Sequence, residues 1–148
     1  MTAAACVMAL AGCGDGGTTG PTPPATPVRS VGGDYTMVVT LGENGCGAVT
    51  VQPLPTRVTH IAGASQFLLA HGPGIYTGTF DEPAGGAFRT SALTFADATA
   101  TQVVHIQGRF TATGLEAVVT VDQAAPAPAC RYLVDWTGTK VGAPNVLP

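Results

Sequence analysis

An all-β domain, folded as an eight-stranded antiparallel up-and-down meander and closed into a barrel, is the architecture this sequence predicts. Three observations lead to it. From Tyr35 onward apolar and polar residues alternate with a period of two. Clusters of Gly, Pro, Asp and Asn break that alternation roughly every ten residues, the spacing of turns between short antiparallel strands. Charged residues make up only 10% of the chain while hydrophobic ones reach 45%. The wet face must therefore rely on hydroxyls, above all threonine.

The elements follow in order. Residues 34–41 alternate Tyr35, Met37, Val39 and Leu41 against Thr36 and Thr40. Residues 56–62 run from Pro55 to Gly63, two natural strand limits. Residues 66–70 are open to two readings, because Ser65 could cap a short helix that Gly72 and Pro73 would end. A strand is favoured, since six residues make a poor helix and a hairpin partner at residues 75–81 follows at once. The turn His71-Gly72-Pro73-Gly74 joins those two, and Glu82-Pro83-Ala84-Gly85-Gly86 leads into residues 87–95. Residues 101–113 form a long strand in which Gly108 suggests a bulge or bend. Thr113-Gly114 closes a hairpin into residues 115–123, and residues 131–139 complete the set.

The alternation assigns faces as well. Tyr35, Met37, Val39, Leu41, Tyr76, Phe80, Val104, Ile106, Phe110, Val119, Val121, Tyr132, Val134 and Trp136 share the dry side. Thr36, Thr40, Thr77, Thr79, Glu116, Thr120, Asp122, Arg131 and Asp135 take the other. A sheet closed on itself needs this two-sidedness, and closure removes exposed edges. An eight-stranded interior is either filled by side chains or just wide enough for one small ligand. Tyr35, Met37, Tyr76, Phe80, Phe110, Tyr132 and Trp136 are the candidates to line such a site.

Ahead of the domain, Ala3 to Leu10 is a small apolar stretch that leads into Leu10-Ala11-Gly12-Cys13. Those four residues resemble the lipobox of bacterial lipoproteins. The resemblance implies cleavage before Cys13, acylation of its sulfur, and anchoring to a lipid bilayer. Two or more acyl chains make such an anchor durable, because one chain alone binds marginally. No Lys or Arg precedes the apolar stretch, which suggests a start codon upstream of Met1. Gly14 rather than Asp follows the cysteine, which in this resemblance implies the outer membrane, facing the periplasm or the cell surface. The expected organisation is a leader at 1–12, lipidated Cys13 with a Gly/Thr/Pro linker over 13–30, the barrel at 31–141 and a tail at 142–148.

With Cys6 in the leader and Cys13 acylated, Cys46 and Cys130 remain of the four cysteines, and in an oxidising compartment they suggest one disulfide. Closing a loop of that length is worth roughly 4 to 5 kcal/mol in the chain-entropy treatment.

Gly33-Asp34-Tyr35, Cys46 with Leu54-Pro55 beyond it, Cys130-Arg131-Tyr132 and Trp136-Thr137-Gly138-Thr139, in this strand order, resemble lipocalin-like bacterial lipoproteins. Tyr35 stands where lipocalins place the tryptophan of Gly-x-Trp. Avidin-type barrels share the strand order, but Trp136 is the only tryptophan here. The resemblance implies the barrel architecture. The strand count and the aromatic-rich inner face then lead to the expectation of a barrel that binds a small apolar or amphipathic molecule without catalysis; the alternative is a structural or protein-interaction lipoprotein with a solid barrel. For that alternative, Val38, Ile75 and Leu133 are the outer-face residues to inspect.

Other chemistries have little footing. Net charge is -3 and Lys140 is the sole lysine, so no basic field exists for nucleic acid. Gly63-Ala64-Ser65-Gln66-Phe67 lacks the last glycine of a nucleophile elbow. His60, His71 and His105 fall in three separate segments, without metal-ligand spacing. No catalytic residue, metal or cofactor is expected.

Overall fold

The structure is a computed structural model that describes residues 25–124 and 127–148. Cys13 and its flanking leader lie outside the described residues. Among the described residues nine strands form one antiparallel sheet: β1 Gly33–Asn44, β2 Thr56–Thr59, β3 Gln66–His71, β4 Gly74–Phe80, β5 Ala87–Thr90, β6 Leu93–Ala96, β7 Thr101–Thr111, β8 Gly114–Ala124 and β9 Cys130–Lys140. Each strand pairs with the next except at β5 and β6, which both pair with β7, and β9 returns to β1. The result is an eight-stranded closed barrel with β6 as an added piece. The 66–71 segment is a strand, paired with β4 from Gln66 to His71.

The division of the fifth predicted strand into β5 and β6 has a local cause. Arg89 lies opposite Gln107 and Leu93 opposite Val104, so Thr90, Ser91 and Ala92 face only His105 and Ile106. One extra residue is a β-bulge, and it reverses which parity points inward. Phe88 and Thr90 are buried before it; Leu93 and Phe95 pack on the core after it. The Ile106 N–H donates to Thr90 Oγ1 at 3.1 Å, so the side chain accepts a bond that lies within the break. At Gly108, where the sequence suggests a bulge or bend, the register with β8 runs without a slip. A Cβ at that position would lie 2.2 Å from the Glu116 carbonyl oxygen; the glycine serves close approach of two backbones. A second slip falls between Leu41 and Asn44 of β1.

The two ends of the barrel differ. At one, Phe67, Phe80, Phe88 and Phe110 form a cluster with ring centroids 4.9 to 5.9 Å apart. Glycine makes room for it: a Cβ on Gly78 would sit 2.2 Å from the Phe67 ring. Leu69, Ile106, Leu115, Val58 and Val31 fill the remaining space. This burial of large apolar side chains, each worth roughly 1.5 to 3 kcal/mol, is the main source of stability.

Residues 29–31 and 145–146 pack onto that same end. Ser30 pairs with Val146, and Arg29, placed by sequence in the linker, is buried together with Asn145, placed in the tail. The Arg29 guanidinium donates to the carbonyls of Glu82, Pro83 and Gly85 at 2.6 to 2.9 Å and lies 4.0 Å above the Phe80 ring. Asn145 Nδ2 donates to the carbonyls of Thr111 and Gly114, at 2.7 and 3.0 Å. The barrel is thus closed at the end where the N-terminal segment joins it.

Candidate functional site

The other end is open. The β1–β2 loop, the Gly72-Pro73 turn and the β6–β7 turn stand around it, and a disulfide between Cys46 and Cys130 ties the β1–β2 loop to the first residue of β9. Gly72 has a φ of +53°, and Pro73 is confined to negative φ, so the β3–β4 turn takes the hairpin form that needs glycine first. Below this rim lies a cup of about 310 Å³.

Its lining is apolar and aromatic. Val39, Val104, Val119, Val121 and Val134 come from β1, β7, β8 and β9, with Leu54 and Val51 from the β1–β2 loop. Five rings face it: His71, Tyr76, Phe95, Tyr132 and Trp136. Thr50, Gln52 and Gln102 add polar, uncharged groups. Among the described residues no Asp, Glu, Lys or Arg lines the cup. The arginines other than Arg29 stand outside, each beside a carboxylate: Arg57 with Asp34, Arg89 with Asp81, Arg109 with Glu116 and Arg131 with Asp122.

The cup wall carries two polar features. The His71 ring stacks on the Trp136 indole with centroids 4.1 Å apart and planes inclined by 36°; its Nδ1 lies 2.7 Å from Thr56 Oγ1, which also lies 3.0 Å from the Leu54 carbonyl oxygen. Burial pushes the His71 imidazole down to about 4, so it is neutral near pH 7. Tyr76 and Tyr132 are the other feature. Burial raises both phenols above their ordinary value, and Tyr132 adds to the effect on Tyr76. The Tyr76 ring lies across Gly74, whose Cβ, if present, would be 2.8 Å from it.

Of the seven interior candidates, the structure brings Tyr76, Tyr132 and Trp136 together in the cup. Tyr35, Met37, Phe80 and Phe110 also point inward but are buried in the closed half and do not line the cup. The Tyr35 hydroxyl donates to the Val31 carbonyl at 2.6 Å and lies 2.9 Å from Asn145 Oδ1; burial pushes it up to about 12. His71 is the site residue that sequence reasoning passed over. A signal existed, because His71 continues the inward parity of Phe67 and Leu69 once β3 is extended by one residue. His60 sits at the closed end, with Nδ1 facing the Val31 N–H and Nε2 3.0 Å from the Ala64 carbonyl. His105 is exposed on the outer face, so the three histidines occupy three separate places. Among the described residues no cluster of three potential metal ligands occurs.

On the outer face, Val38 and Ile75 are 64% and 62% exposed, but β1 and β4 are separated by β2 and β3. They form no single patch, and Leu133 is only half-exposed against Gly42. No protein-family model matches the chain, and no curated protein or solved structure matches it either.

Proposed function

We propose that this protein is a non-catalytic, lipid-anchored lipoprotein of the bacterial envelope whose barrel holds one small apolar or amphipathic molecule, in the manner of lipocalin-like lipoproteins. The observation that carries the reading is the asymmetry of the interior. One half is packed solid with phenylalanine, while the other is left hollow, apolar and open through a rim braced by a disulfide. Hollow apolar cups with a few fixed polar groups are how small β-barrels take ligands. The direction of entry supports the anchoring part. The N-terminal segment joins the barrel at its closed end through Arg29 and Ser30, so a bilayer on that side leaves the mouth unobstructed.

The rival role, a structural or protein-interaction lipoprotein, goes with a solid interior, and the hollow half speaks for ligand binding. The test is native mass spectrometry of the protein released from its host's membranes. A co-purifying small molecule, displaced when Trp136→Ala disrupts the cup wall, is the expected result. Material that is empty under gentle extraction and has no affinity for small apolar probes would overturn the reading. Intact mass of the same material checks the anchor, since acylation at Cys13 adds a mass that unmodified chain lacks.

A further inference from the structure

The two nitrogens of His71 are in different situations, and the difference selects a ligand. Thr56 has one hydroxyl proton and two close neighbours, Leu54 O at 3.0 Å and His71 Nδ1 at 2.7 Å. A carbonyl oxygen only accepts. Both contacts are satisfied together in one arrangement: Thr56 donates to Leu54, and the imidazole donates to Thr56 from a protonated Nδ1. Nε2 is then a bare lone pair. It has no hydrogen-bond partner among the described residues, and no buried side-chain nitrogen or oxygen lacks one. Nε2 is therefore not sealed from solvent, and the hollow that its residue lines is the cup.

The phenol hydroxyls of Tyr76 and Tyr132 are likewise without a partner among the described residues and are not sealed from water. Both line the cup, and Tyr132 opposes ionisation of Tyr76. The cup thus offers one group that only accepts and two that both donate and accept. It offers no counter-charge, since no ionic side chain lines it among the described residues. A charged ligand would lose its hydration there without a partner. A volume of about 310 Å³ corresponds to about ten waters, which suits one or two fused rings better than a long acyl chain. The five aromatic rings around it favour edge and offset contacts with another ring.

We infer that the ligand is an uncharged, compact ring compound carrying an O–H or N–H donor, with that donor on His71 Nε2. The inference rests on the ligand-binding reading and specifies it. Thr56 acts as a positioning residue, because its hydroxyl fixes the tautomer that leaves Nε2 free to accept.

The experiment is equilibrium dialysis of the full chain at pH 7 against three probes of one shape: 2-naphthol, its methyl ether and 2-naphthoate. Naphthol should bind at least tenfold more tightly than either of the others. His71→Phe should lower naphthol to the level of the ether and leave the ether within about twofold. Thr56→Val keeps the imidazole but frees its tautomer, and should erode the preference for naphthol by severalfold; it serves if His71→Phe does not fold. Equal binding of naphthol and its ether, or a preference that survives both substitutions, would overturn the inference while leaving a ligand-binding cup. If none of the probes binds to protein with a native circular-dichroism spectrum, the ligand-binding reading itself falls.

Discussion

Arg29 is a buried cation without a carboxylate partner among the described residues. Its guanidinium is satisfied by three carbonyls of the β4–β5 turn and the face of Phe80, which fixes a surface turn to the core. Charge-assisted hydrogen bonds are worth more than neutral ones, but carbonyls at a surface turn can find water once the arginine is gone. Arg29→Met should cost roughly 2 to 4 kcal/mol in urea unfolding, and Arg29→Lys should recover only part, because an ammonium cannot span three carbonyls as a planar fork does. A loss below about 0.5 kcal/mol would mean the turn is held by other groups. His71 yields a pH effect of definite sign. Its value falls from 6.5 to about 4 on folding, so between these limits the unfolded chain binds a proton that the folded barrel does not. Stability is full above about pH 6.5 and declines as pH falls toward 4, by on the order of 2 kcal/mol after allowance for water in the open cup. Comparing urea midpoints at pH 7.5 and 4.5 for the wild type and His71→Phe isolates this part, because carboxylates titrate equally in both. Parallel slopes would contradict it.

At the scale of the strand, Thr90 shows how one side chain lets a strand change phase. Thr90→Val keeps the shape but leaves the Ile106 N–H facing a methyl group. The expected cost is about 1 to 3 kcal/mol, with Thr90→Ser close to wild type; hydrogen exchange should show the Ile106 amide losing protection in the valine variant alone. That bulge also marks how far the sequence could be read. Every predicted strand has a counterpart, the one at 87–95 divided in two, and the inward sets on β1, β4, β7, β8 and β9 match, because period two survives wherever a strand has one dry face. Residues 87–95 could not be one regular strand, since Phe88 and Phe95 are of opposite parity and both pack inward. The mismatch was on view; that a threonine hydroxyl would accept within the break was not, since it depends on β7. The site was legible to the same degree. Alternation found Tyr76, Tyr132 and Trp136, but height along the barrel decides whether an inward ring lines a cup or packs in a core. That height is set by register between strands distant in sequence, so Tyr35 and Phe110 looked no different from Tyr132. His71 was lost by ending β3 one residue early.

For the molecule as a whole, the consequence is a division of labour along the barrel axis, and the disulfide is where it can be probed. The closed half is held by phenylalanine packing and by the paired segments around Ser30 and Val146, so it needs no covalent brace. The cup half lacks a filled core, and Cys46–Cys130 joins its rim across 84 residues. Cross-linking a loop of that length acts chiefly on the unfolded chain, by roughly 3 to 5 kcal/mol, but here it also limits how far the β1–β2 loop can swing from β9. Replacing both cysteines with serine should therefore have two separable effects. Global stability should fall by roughly that amount in urea unfolding. Below the transition, hydrogen exchange should quicken at the rim, in residues 45–55 and at the start of β9, while Leu69, Phe88, Ile106 and Leu115 keep exchange limited by global unfolding. A uniform rise in exchange, with closed and open halves loosening together, would show that the barrel is one cooperative unit and that the solid end does not hold the hollow one in shape.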